Sequence, residues 1–120
     1  MRIAVPAEVK NNEYRVAITP AGVHDLVANG HEVLVQAGAG IGSSITDDEY
    51  AAQGARIVPD AATAWAEADL LLKVKEPIES EYAHFREGML LFTYLHLAAE
   101  KELTHALLDT HVTAIAYETV

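Results

Sequence analysis

The sequence contains no cysteine, which excludes disulfides, thiolate-ligated zinc and thiol catalysis and fits a reducing compartment. Basic residues are scarce: eight Lys and Arg stand against eighteen Asp and Glu, for a formal net charge of −10. A field of that sign repels nucleic acid and anionic membrane surfaces, so neither is an expected partner. It also means that an anionic ligand would have to be held by locally placed cations. Long apolar runs are missing too. The longest, near residues 70–74 and 89–97, are interrupted and too short to span a bilayer. A secretory signal peptide would need a basic start and then roughly 7–15 apolar residues. Here residues 1–6 are followed at once by Ala7-Glu8-Val9-Lys10-Asn11-Asn12, so none is expected.

What is present suits one folded unit. The 120 residues are 51% hydrophobic, enough apolar material for a core and too much for a disordered segment. Short β-rich runs alternate with helical ones. Strands are expected at residues 2–6, 32–36, 69–74, 89–95 and 112–117, with a weaker one at 55–58. Most are near-continuous apolar stretches, as in strands buried on both faces of a parallel sheet. Between them stand helix signals. Thr19-Pro20 reads as an N-cap with Pro at the first helical position, and Gly30 follows that helix. Thr46-Asp47-Asp48-Glu49 has capping-box spacing, with Gly54 as a stop. Asp60 caps a segment through Glu67, and residues 98–109 carry Leu103, Ala106 and Leu107 at helical spacing.

Strand and helix alternating in this way predict an α/β fold, an open, mainly parallel sheet with flanking helices of the Rossmann-like or flavodoxin-like kind. The series ends on a strand with no closing helix after it, which points to a part of a longer protein.

In open α/β sheets ligands bind just outside the carboxyl ends of the strands. The first strand leads into Asn11-Asn12-Glu13-Tyr14-Arg15, the run at 70–74 into Lys75, and the run at 90–95 into His96. Arg15, Lys75 and His96 are therefore expected on one edge of the sheet. Each also has a plain structural reading: a solvated loop arginine, a surface strand-end lysine, a hydrogen-bonded histidine. Together they suit a small carboxylate substrate. Arginine offers a planar fork to a carboxylate, lysine a point charge to a carbonyl oxygen, and histidine exchanges a proton near neutral pH.

Other motifs carry less. Gly38-Ala39-Gly40-Ile41-Gly42 looks like a dinucleotide loop, yet the G-x-G-x-x-G spacing needs glycine where Ser43 stands. These glycines are expected to permit a turn with positive φ. Glu81/His84 and Glu102/His105 have the Glu-x-x-His spacing of di-iron bundles, which need four facing helices rather than a sheet. No metal site is expected. His24, His31, His84, His105 and His111 are expected to face solvent or loops, and Trp65 to pack beneath the adjacent strand.

The run Val5-Pro6-Ala7-Glu8, then Asn12-Glu13, Arg15-Val16-Ala17, Thr19-Pro20 and Gly22-Val23, resembles the signature of the alanine dehydrogenase and pyridine-nucleotide transhydrogenase group. Glu32-Val33-Leu34-Val35, Gly38-Ala39-Gly40, Leu71-Leu72-Lys73-Val74-Lys75-Glu76-Pro77, Phe92-Thr93-Tyr94-Leu95-His96-Leu97-Ala98 and Ala116-Tyr117-Glu118-Thr119 extend the likeness over nearly the whole chain. Ala4, where glycine is usual, and Ala28, where a longer polar residue is usual, depart from it away from the candidate site.

The resemblance implies an NAD-dependent enzyme that interconverts L-alanine with pyruvate and ammonia. Arg15 and Lys75 would bind the substrate carboxylate and keto oxygen, and His96 would be the catalytic acid and base. It further implies that residues 1–120 are the N-terminal part of the substrate domain, with the nucleotide-binding domain outside this chain and no cofactor-binding residue within it. It also implies a cytoplasmic homo-oligomer, as the family's bacterial alanine dehydrogenases are, commonly hexamers. The transhydrogenase branch is the nearest alternative, and Tyr94-Leu95-His96-Leu97-Ala98-Ala99 weighs against it. A lysine-forming or saccharopine-type oxidoreductase is a third, more distant alternative. A non-catalytic flavodoxin-like module is the alternative from another class, but the acidic pair of a receiver and the Ser/Thr-rich phosphate loop of a flavodoxin are both missing after the first strand.

Overall fold

The computed structural model describes residues 1–93 and 101–116. Six strands, β1 (Arg2–Val5), β2 (Glu32–Gln36), β3 (Arg56–Val58), β4 (Leu70–Leu72), β5 (Leu90–Thr93) and β6 (Thr113–Ala116), form one sheet. Every pairing is parallel, in the order β3-β2-β1-β4-β5-β6. Helices α1 (Pro20–Ala28), α2 (Asp47–Ala52), α3 (Ala61–Glu67), α4 (Glu79–Tyr82) and α5 (Lys101–Thr110) make the crossovers and flank it. The expected α/β class is the observed one, with a sheet that is parallel throughout. The chain winds outward from β1 to β3, then returns to the other side of β1 and winds outward from β4 to β6. The order therefore reverses between β1 and β4, which pair directly through Ile3 with Leu70 and Ala4 with Leu71. In a doubly wound sheet such a switch point leaves a crevice at the carboxyl ends of the two strands.

All six expected strands are present, most of them shorter than their apolar runs. The run at 69–74 is a strand only over Leu70–Leu72. Residues 94, 95 and 117 of two other runs lie outside the described residues, as do residues 98–100 of the helix expected at 98–109. The helix starts follow from local chemistry. The Thr19 hydroxyl accepts from the Gly22 N–H with Pro20 at the first turn. Thr46 and Glu49 close a full capping box, and Asp60 accepts from the Thr63 N–H at 2.8 Å. Helix α4, unexpected from the sequence, is one turn long and too short to leave a periodic pattern.

Period-two alternation splits the apolar strand residues between two layers. Ala4, Leu34, Val58, Leu71 and Leu91 face α3 and α5 and pack with Trp65, Phe85, Met89, Leu103 and Leu107. Val5, Val33 and Val35 point the other way, toward Val23 of α1 and Tyr50 of α2. Trp65 is fully buried beneath the sheet as expected. His84 lies in the turn after α4, half-buried and stacked on the Trp65 indole at 5.4 Å between ring centroids. His31 is half-buried as well, while His24, His105 and His111 are exposed. Among the described residues no helix is long and apolar enough to cross a membrane.

Candidate functional site

The carboxyl end of β1, where the switch-point rule expects a crevice, is followed by the loop that runs from β1 to α1. Such a long connection needs its polar backbone tied down, and here the ties come from four directions. The Ala7 N–H donates to Gln36 Oε1 at the end of β2. The Glu8 carboxylate reaches the segment after β4, accepting from the Val74 N–H at 3.0 Å and the Lys75 N–H at 3.1 Å. Lys10 pairs with Glu76. Ser43 Oγ donates to the Tyr14 carbonyl, and Tyr50 Oη donates to the Ile18 carbonyl at 2.7 Å. Burial pushes the Tyr50 hydroxyl up to about 12, so it remains a donor across the ordinary pH range.

Gly38, Gly40 and Gly42 serve this anchoring in a way that departs from the expected turn chemistry. Only Gly38 has positive φ, at +79°. Gly40 and Gly42 are there because backbones approach closely: a Cβ on Gly42 would lie 2.6 Å from the Tyr14 carbonyl oxygen, and one on Gly40 2.8 Å from Ile45 O. The loop is also unsuited to a pyrophosphate. The Gly38 N–H is already given to Asp47 Oδ1 at 2.9 Å, and the first turn of α2 carries Asp47, Asp48 and Glu49. Negative side chains at a helix N-terminus take the place that an anion would need.

Arg15 stands on the β1 loop and Lys75 just beyond β4, at the ends of the two strands flanking the switch point. One carboxylate senses both. Glu13 Oε1 accepts from Arg15 Nη2 at 2.8 Å, and its Oε2 accepts from Arg15 Nε and from the Arg15 N–H, each at 2.9 Å. The Arg15 hydrogen bond holds Glu13 below the usual carboxylate range against the opposing effect of burial, and the Lys75 ammonium lowers it further. The third expected site residue, His96, lies outside the described residues.

Sequence reasoning missed the charged groups behind this pair. Lys73 is 1% exposed and is held by Glu8 and Glu81, each at 3.3 Å. Burial raises the pKa of Glu81, partly offset by Lys73. The clue was legible: a lysine embedded in Leu70-Leu71-Leu72-Lys73-Val74 has to be buried, and a buried ammonium has to be paired. Glu81 binds Lys73 rather than acting with His84 as a ligand pair.

Comparison with known proteins agrees with this architecture. The chain is 62% identical over all its 120 residues to alanine dehydrogenase of Mycobacterium tuberculosis (strain ATCC 25618 / H37Rv), and 58% identical to that of Bacillus subtilis (strain 168). It spans 32% of the length of each of these curated relatives. A solved L-alanine dehydrogenase superposes with a TM-score of 0.96 at 48% identity, over 98% of this chain and 32% of that one. A transhydrogenase from Sinorhizobium meliloti is more distant in sequence, at 33% identity and a TM-score of 0.91, over 98% of this chain and 35% of that one. The model of the alanine dehydrogenase/PNT N-terminal domain matches residues 4–120. With the strand order, the anchored β1 loop and these likenesses in agreement, the chain belongs to the alanine dehydrogenase/PNT N-terminal domain family.

Proposed function

We propose that residues 1–120 are the N-terminal part of the substrate domain of an NAD-dependent L-alanine dehydrogenase, which converts L-alanine, NAD⁺ and water to pyruvate, ammonium, NADH and a proton. The supporting observation is that Arg15, on the loop after β1, and Lys75, just after β4, follow the two strands that pair at the switch point. A substrate carboxylate entering their field is attracted in an otherwise strongly acidic protein. With its Nε and Nη2 edge held by Glu13, Arg15 is oriented to meet the carboxylate from its Nη1 side, and Lys75 offers a point charge to the keto oxygen.

His96 is assigned the proton transfers: it takes a proton from the amine-bearing centre and activates the water that hydrolyses the imine. The cofactor supplies hydride acceptance. Because the Gly38–Ser43 loop does not suit a pyrophosphate, NAD is assigned to residues outside this chain, in a second domain, and the chain alone is assigned no activity. The likeness to the family carries the remaining assignments: cytoplasmic location, a homo-oligomer such as a hexamer, and small-molecule partners only.

The decisive assay follows NADH oxidation by the whole enzyme with pyruvate and ammonia. Saturable turnover is expected. Hydride exchange between two nucleotides with no turnover of pyruvate would favour the transhydrogenase reading, whose fold is nearly the same.

A further inference from the structure

Beyond the last paired residue of β4 the Lys73 N–H still donates to the Phe92 carbonyl of β5. The next two backbone donors, on Val74 and Lys75, both go to a single side chain. Glu8 Oε2 accepts from Val74, and Oε1 accepts from Lys75 and from Lys73 Nζ. The Glu8 side chain is 2% exposed, so these charge-assisted bonds are shielded from water. Glu8 follows the end of β1 by three residues, and the neighbouring Ala7 N–H is fixed to Gln36 of β2. Its carboxylate is thus a strut from the centre of the sheet to the backbone of Lys75. Lysine is a flexible four-carbon stem. The placement of its ammonium depends on where its Cα is held.

We infer that Glu8 is a positioning residue for Lys75: by gripping the amides of Val74 and Lys75 it sets the Lys75 ammonium against the substrate keto oxygen, without itself touching substrate. The inference rests on the reading of Lys75 as the keto-oxygen ligand. Removing the strut displaces Lys75 without removing it, and a displacement of about 1 Å can cost on the order of 10²-fold in rate. Glu8→Gln is the informative change. The amide keeps one accepting oxygen but turns an NH₂ toward a backbone N–H that also donates.

The experiment is a double-variant cycle in the whole enzyme, with Glu8→Gln, Lys75→Ala and the combination compared for pyruvate kinetics and NADH affinity. Glu8→Gln alone is expected to lower kcat/KM for pyruvate about 10–10²-fold while leaving the NADH Kd within about twofold. In the Lys75→Ala background it is expected to add less than about twofold, because its effect passes through the missing side chain. If Glu8→Gln reduced both backgrounds by the same factor, or weakened NADH and pyruvate alike, Glu8 would be only a structural brace and the inference would be overturned. If Lys75→Ala itself left pyruvate kinetics unchanged, the reading of Lys75 would fall and this inference with it. Should Glu8→Gln not fold, the same cycle with Glu8→Asp serves, and hydrogen exchange on the unsubstituted enzyme reads the grip directly. Slow exchange at Val74 and Lys75 supports it, and exchange at the rate of an open loop overturns it.

Discussion

Glu13 chelates the guanidinium of Arg15, its two carboxylate oxygens meeting Nη2 at 2.8 Å and Nε at 2.9 Å. Two residues apart in the chain, they form a closed fork in which Arg15 remains 63% exposed while the Glu13 side chain is almost covered. The fork orients the arginine and leaves a titratable signature. The folded state holds Glu13 below its ordinary value of 4.5, chiefly through the Arg15 hydrogen bond. The unfolded chain therefore binds more protons at acid pH, so the contribution to stability is full above about pH 4.5 and is lost as pH falls through the lowered folded value. Melting temperature followed against pH should show wild type losing stability over that acid range and Glu13→Gln lacking this part of the loss. Parallel curves would show that the fork does not operate in solution.

Kinetics separate the roles assigned to the site. Positioned acid–base groups contribute about 10²–10⁴-fold in rate. His96→Ala should lower kcat by about that factor and leave NADH affinity nearly intact. Arg15→Ala and Lys75→Ala should also weaken pyruvate binding, because a charge-assisted partner is lost. Steady-state measurements with pyruvate, ammonia and NADH decide this. A near wild-type kcat in His96→Ala would make His96 a packing residue.

Gly42 makes the anchoring of the β1 loop testable. Alanine there would push its Cβ against the Tyr14 carbonyl at 2.6 Å, and overpacking of this kind typically costs about 1–3 kcal/mol. Because Tyr14 adjoins Arg15, Gly42→Ala should lower the melting temperature and raise the KM for pyruvate together. Gly30→Ala is the control. Its φ of +88° makes alanine strained, but nothing lies within 4 Å, so stability alone should fall.

Tyr50 ties α2 to the end of the β1 loop through the Ile18 carbonyl. Tyr50→Phe leaves that carbonyl without its buried donor, at a cost of about 1–3 kcal/mol in unfolding free energy. With the folded value pushed up to about 12 from 10, the hydroxyl's contribution is complete below pH 10 and fades as pH rises toward 12. Urea unfolding on both sides of that range should show the gap between wild type and Tyr50→Phe closing at high pH.

Lys73→Met would leave Glu8 and Glu81 facing each other without their shared cation. Breaking a buried pair in this way typically costs about 3–5 kcal/mol. Chemical denaturation should show a loss of that order, and a loss below about 1 kcal/mol would mean that the trio is hydrated in solution.

Local chemistry was enough for much of the fold. The Thr19, Thr46 and Asp60 caps and the apolar strand runs each act within a few residues, where side-chain oxygens meet nearby N–H groups and alternate residues share a face. Those signals placed the described strands and four of the five described helices, and the strand-end rule is what leads to the expectation of Arg15, Lys75 and His96 on one edge of the sheet. Contacts between distant segments were beyond such signals. The order β3-β2-β1-β4-β5-β6 depends on which strands bury each other's faces, and only that order brings Glu8 to Lys73 across 65 residues of chain. The same holds for Gly42, whose missing side chain matters only because Tyr14 comes to lie against it. Sequence determined which groups could do chemistry; tertiary packing decided which of them are neighbours, because the energy of a buried charge or a close backbone contact exists only once remote segments have excluded water together.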